Sequence, residues 1–129
     1  MRYYPRGNGS KYKAKKVEAD GLIFDSKKEY KHWLELKELE AAGVISDLER
    51  QVKFLLIPAA YEPDVIGPRG GVKKGKLIER ECVYIADFRY RLAVSGQEVV
   101  EDTKGMRTAD YVIKRKLMYL VYGIRIKEV

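Results

Sequence analysis

The chain has 129 residues, of which 46% are hydrophobic and 35% charged, with a formal net charge of +7. That length suits one compact domain with a single core, and the single Cys82 excludes an internal disulfide or a thiolate metal centre. No apolar run approaches the roughly 20 residues of a membrane span, and the N-terminus lacks the apolar core of a signal peptide, so a cytosolic protein with an anionic partner is expected. Nucleic acid is the simplest partner for this charge.

In chain order, residues 1–14 are rich in Gly, Lys, Arg and Tyr and read as a mobile basic arm. Asp20-Gly21, between the apolar flanks of Val17 and Phe24, signals a tight hairpin. Ser26 then starts a helix that runs to about Ala42, with Gly43 as its stop. Val44 to Ile57 reads as a strand bent near Glu49-Arg50. Residues 58–80 hold Pro58, Pro63, Pro68 and several glycines among Arg69, Lys73, Lys74, Lys76 and Arg80. They read as a basic loop or extended hairpin, long enough to suggest a function. Two strands follow, around Tyr84–Leu92 and Val99–Lys104. Thr108 or Asp110 caps a second helix to about Tyr122, and Gly123 releases the chain into a last strand, Ile124 to Val129.

The chemistry concentrates between Tyr84 and Gly105. A hairpin there puts Asp87 on one strand and Asp102 with Lys104 on the next. Strand side chains alternate faces, so Asp102 and Lys104 point one way and Thr103 the other. The neighbours Tyr84, Ile85, Ala86, Val99 and Val100 are apolar, so these strands read as buried. An unpaired buried carboxylate costs several kcal/mol or shifts its pKa until neutral, and a divalent metal resolves the conflict. Hard cations such as Mg²⁺ take carboxylate oxygen, often together with substrate phosphate.

An Asp on one strand followed by Asp102-Thr103-Lys104 on the next resembles the metal site of the PD-(D/E)XK nuclease superfamily. The triplet alone is common here: Asp25-Ser26-Lys27, Glu29-Tyr30-Lys31 and Glu35-Leu36-Lys37 match it too. Only the fourth follows an apolar strand with an Asp on the strand before. The element order helix, three strands, helix, strand is also that of the superfamily. The resemblance therefore implies an α/β (α+β) domain with a restriction-endonuclease-like core, a central mixed sheet flanked by helices. More narrowly, KYKAKKVEADGLIFDSKKEYKHWLEL at 11–36, ISDLERQVKFLL at 45–56, YIADFRY, VVEDTKG and YVIKRKL resemble the DUF1064 family of small phage and prophage proteins, grouped with Holliday-junction-resolvase-like nucleases. This chain departs from many superfamily members in having Asp rather than Glu at 102.

The resemblance implies a metal-dependent DNA endonuclease, a branched-DNA resolvase acting as a homodimer because paired nicks need two sites. Asp87, Asp102 and the carbonyl of Thr103 would hold Mg²⁺ or Mn²⁺, and Glu29 from the first helix would complete the set. Lys104 would orient water or stabilise the transition state. As a general base it would need its pKa lowered from about 10.4, which adjacent carboxylates oppose. Glu29 has a second reading, because Ser26 and Glu29 have capping-box spacing; against it, Glu29 shares a helix stripe with Trp33 and Leu36 and so faces inward. Gln51 is placed to orient water or phosphate, or to be an ordinary exposed strand residue. Lys73, Lys74 and Lys76 in the loop and Lys114, Arg115 and Lys116 on the second helix are candidate phosphate contacts, against a solvated basic face. Glu101 is expected in a salt bridge or at the surface, and His32 at the surface. The reading from another class is a non-catalytic DNA-binding protein that keeps the nuclease fold; a nuclease on linear ends or RNA is a third.

Overall fold

The computed structural model describes residues 2–5, 15–103 and 106–129, with residues 2–5 as backbone only. Its organising element is a four-stranded sheet of β4 (Ile45–Ile57), β9 (Cys82–Leu92), β10 (Glu98–Asp102) and β11 (Lys127–Glu128), in the order β11-β10-β9-β4. β9 runs antiparallel to both neighbours, whereas β10 and β11 are parallel. The sheet is therefore mixed, and with helices α1 (Lys27–Ala41) and α2 (Ala109–Tyr122) it makes an α+β domain. No helix of the described residues is long and apolar enough to cross a membrane.

Alternation explains the core. Along β9, Tyr84, Ala86, Phe88 and Tyr90 are buried in step, as are Val52, Phe54 and Leu56 along β4. Met118 and Tyr111 of α2 close over one cluster with Val100, while Leu36 of α1 closes over another with Ile45, Phe88 and Tyr90. Each fully buried aromatic or aliphatic side chain of this kind contributes about 1.5–3 kcal/mol.

α1 begins where the sequence predicts. Ser26 is its N-cap, and the Ser26 hydroxyl accepts from the backbone N–H of Glu29 at 3.1 Å. α2 is capped by Thr108 rather than Asp110, and ends at Gly123. Before α1, β2 (Lys15–Ala19) and β3 (Leu22–Phe24) form the predicted hairpin. Asp20 and Gly21 both have positive φ, 54° and 76°, the pairing that a two-residue turn matching strand twist requires.

Two expectations change, and for residues 58–80 the structure selects the hairpin over the loop. Residues 1–14 are not wholly a mobile arm, because Arg2–Pro5 forms β1 and pairs antiparallel with the edge of β2; residues 6–14 lie outside the described residues. Residues 58–80 resolve as an extended hairpin of two short ladders, β5 (Ala60–Tyr61) with β8 (Leu77–Glu79) and β6 (Val65–Ile66) with β7 (Val72–Lys73). Gly75 is required there, since a Cβ would stand 1.8 Å from the carbonyl oxygen of Glu62. The last strand is also shorter than Ile124 to Val129. Ile124 and Ile126 pack against the core cluster instead of pairing, which leaves Lys127–Glu128 for the ladder.

Candidate active site

Three elements bring acids together. Asp25 stands between β3 and the cap of α1, Glu29 in the first turn of α1, and Asp87 in the middle of β9. Among the described residues, only these bring three such ligand atoms within 4.8 Å of one another. Asp25 is exposed, Asp87 half-buried and Glu29 only 1% exposed.

Glu29 is held on every side. Its Oε2 accepts from the backbone N–H of Asp25 at 3.0 Å, one residue further back than a capping box would place it. Its Oε1 accepts from the Gln51 amide at 3.0 Å and lies 3.7 Å from the Arg50 guanidinium. Burial, and secondly the charge of Asp87, push the Glu29 carboxyl up to about 7 from an ordinary 4.5. The Asp25 N–H and Arg50 act against this shift without cancelling it.

Asp87 faces the same group from the sheet. Its Oδ2 accepts from both the backbone N–H and the hydroxyl of Thr103, at 2.8 and 2.7 Å, and Gln51 donates weakly to Oδ1 at 3.5 Å. Gln51 thus bridges Glu29 and Asp87. Its backbone is left-handed, with φ 54°, a conformation uncommon for non-glycine residues and costly inside a strand.

Asp102 does not join this set of carboxylates. The antiparallel ladder of β9 and β10 ends at Phe88 and Glu101; beyond it Asp102 pairs with Glu128 of β11, and its carbonyl accepts from the N–H of Val129. Its carboxylate, 2% exposed, accepts a short hydrogen bond from the Tyr84 hydroxyl. Burial, followed by that bond and the charges of Asp102 and Asp87, raises the Tyr84 pKa, so both aspartates act on one phenol. Lys104 lies outside the described residues.

The cationic candidates divide. Lys73, Lys74 and Lys76 are exposed on the hairpin, and the Lys74 ammonium sits 4.0 Å from the Tyr61 ring centroid. Lys116 is exposed and Lys114 half-buried on α2. Arg115 instead turns to Glu128 at 3.1 Å, beside Arg107 and the Tyr111 hydroxyl. Although burial opposes ionisation, these donors hold the Glu128 carboxyl below its ordinary range.

Of the two readings for Glu101 the ion pair holds and the surface position does not, and His32 departs from expectation. Glu101 is 1% exposed and accepts from the Tyr90 hydroxyl at 2.6 Å, and His32 is not a plain surface residue, because its Nε2 lies 2.8 Å from Glu101. The Tyr90 hydroxyl serves one oxygen of this buried carboxylate and His32 the other.

Asp25 and Arg50 escaped the sequence reading. A strand running straight into a capped helix puts the residue between them at the helix start, which is a signal for Asp25. An Arg in register with the inward Val52 and Phe54 signals a nearby internal acid, here Glu29.

The family model described as "Protein of unknown function (DUF1064)" matches residues 9–127. The chain belongs to this family. Neither curated proteins nor solved structures yield a match. The DUF1064 chain thus keeps its acids on β9, on α1 and at the β3–α1 junction, all inside the matched span.

Proposed function

We propose that this DUF1064 protein is a metal-dependent endodeoxyribonuclease of the PD-(D/E)XK type, acting on branched or otherwise shape-recognised DNA. The observation that carries the proposal is the meeting of Asp25, Glu29 and Asp87 within 4.8 Å, with Glu29 buried and its carboxyl pushed up to about 7. Like charges at that spacing oppose one another's ionisation, and a divalent cation relieves the conflict. The donors are all hard carboxylate oxygens, which fit Mg²⁺ or Mn²⁺. Asp87 and Glu29 would hold the ion with Asp25 on the exposed side, and the resemblance adds Asp102 and the carbonyl of Thr103. When bound, such an ion lowers the pKa of a water and neutralises charge developing on the phosphodiester.

The chain's own residues supply orientation and charge. Thr103 fixes the Asp87 carboxylate through two donors, and Gln51 sets the spacing of Glu29 and Asp87. Lys104, next after Thr103, would bring an ammonium to the transferring phosphate. Lys73, Lys74 and Lys76 on the hairpin, with Lys114 and Lys116 on α2, would contact the DNA backbone, and two copies of the chain would supply paired nicks. No base-reading code stands among these residues, so recognition rests on shape.

A second reading is a DNA-binding protein without cleavage. The buried bond between Asp102 and Tyr84 favours it, because a carboxylate engaged by a phenol is less available to a cation. Incubating wild type and Asp87→Asn with branched, linear duplex and single-stranded DNA, each with Mg²⁺ or Mn²⁺, separates the readings. Cleavage of branched DNA by wild type alone is expected. Binding without cleavage in either metal would leave the second reading, and equal cleavage by the variant would remove Asp87 from the chemistry.

A further inference from the structure

We propose that the groove between α2 and the C-terminal segment binds an unpaired stretch of nucleic acid, so that the substrate is DNA carrying a single-stranded segment. The inference rests on DNA as the partner but not on cleavage.

The groove measures about 460 Å³, within the range of roughly 300–1,000 Å³ typical of ligand clefts. Ile124 and Ile126 form a half-buried apolar lining, and Tyr119 stands 61% exposed beside them. Lys116 and Arg125 are also part of the lining and, among the described residues, neither is in an ion pair. The one acid, Glu128, is already matched by Arg107, Arg115 and the Tyr111 hydroxyl. What remains is net positive, with an aromatic ring left in water.

That combination fits a single strand better than a duplex. Base faces stack on exposed aromatic side chains while cations follow the phosphates, and a paired base within a duplex has its faces covered by its neighbours. The position is suitable as well. Glu128 lies opposite Asp102 in the β10–β11 ladder, so the groove adjoins the strand whose end, Thr103, holds Asp87. An unpaired strand leaving the groove would pass beside the candidate active site.

Fluorescence anisotropy with labelled oligothymidylate and with a duplex of equal length tests this on the full chain without added metal. Tyr119→Ala should weaken single-strand binding about tenfold, the loss expected for one stacked base, while duplex binding changes little. Tyr119→Phe should restore it, and Arg125→Ala should lower the slope of log K against log salt by about 0.7. Tyr119 is exposed, and an unchanged melting temperature for Tyr119→Ala checks that the fold is intact. Equal affinity of wild type and Tyr119→Ala for oligothymidylate would overturn the inference. If Tyr119→Ala instead turned a dimer into a monomer in sedimentation, the groove would belong to a second copy of this chain. Wild type binding duplex but no single strand would overturn this inference alone; binding neither would remove the DNA reading with it.

Discussion

Thr103 donates twice to one oxygen of Asp87, through its backbone N–H at 2.8 Å and its hydroxyl at 2.7 Å. The pair ties the end of β10 to the middle of β9 at the point where their ladder has stopped. Hydrogen bonds to charged acceptors are stronger than neutral ones. Thr103→Val keeps the shape and the backbone bond but removes the hydroxyl, and should cost about 1–2 kcal/mol in denaturant unfolding. DNA cleavage should fall with it, and Thr103→Ser should restore both. A Val variant as stable and active as wild type would mean that the hydroxyl bond does nothing that water cannot.

Glu29 gives the fold a pH signature. Its folded pKa, about 7, lies above its ordinary 4.5, so its protonated form is favoured by folding. The stabilising contribution is therefore complete below about pH 4.5 and is lost as pH rises through about 7. Denaturant midpoints for wild type should fall relative to Glu29→Gln between about pH 5 and about pH 8, since the amide does not titrate. Parallel profiles for the two proteins would show that Glu29 ionises as an ordinary surface acid.

Mn²⁺ should distinguish the two aspartates. Asp87 belongs to the carboxylate group, whereas Asp102 is occupied by Tyr84. Calorimetric titration should show Mn²⁺ binding that Asp87→Asn abolishes, with a smaller loss for Asp102→Asn, whose amide oxygen can still accept from the phenol. At a metal concentration about 100-fold above Kd, wild type should gain about 2.7 kcal/mol in unfolding free energy. A larger loss for Asp102→Asn than for Asp87→Asn would move the centre of the site to β10.

The hairpin at 58–80 is tested through salt. If Lys73, Lys74 and Lys76 contact phosphates, replacing all three with Ala should flatten log K against log salt by about 0.9 per lost contact on duplex DNA. Lys74, stacked over Tyr61, should contribute least when replaced alone. An unchanged slope for the triple variant would leave the DNA path to α2 and the remaining basic surface.

Much of the molecule is legible in the sequence, because its signals are local. Ser26 and Thr108 announce helix starts through side-chain oxygens that meet backbone donors three residues on, and Asp20-Gly21 announces a turn through its left-handed backbone. The apolar run read as a buried strand is buried on one face only: alternation along β9 puts Tyr84, Ala86, Phe88 and Tyr90 in the core and leaves Ile85 exposed and Asp87 half-buried. Helix periodicity likewise turned Glu29 inward with Leu36.

What the sequence by itself determined is the two helices, the β2–β3 hairpin, the long central strands and their order, since these follow from the chain's own turn and cap signals and its 3.6- and 2-residue periods. Which acids meet was decided by tertiary structure. Asp102 shares a hairpin with Asp87, yet the ladder ends one step before it; its backbone pairs with β11 from the far end of the chain and its carboxylate is taken by Tyr84. Asp25 enters the site because β3 delivers it to the start of α1, and His32 reaches Glu101 across 69 residues. No period encodes such meetings: they depend on where a ladder stops and which distant strand takes up the edge, and those are properties of the packed whole.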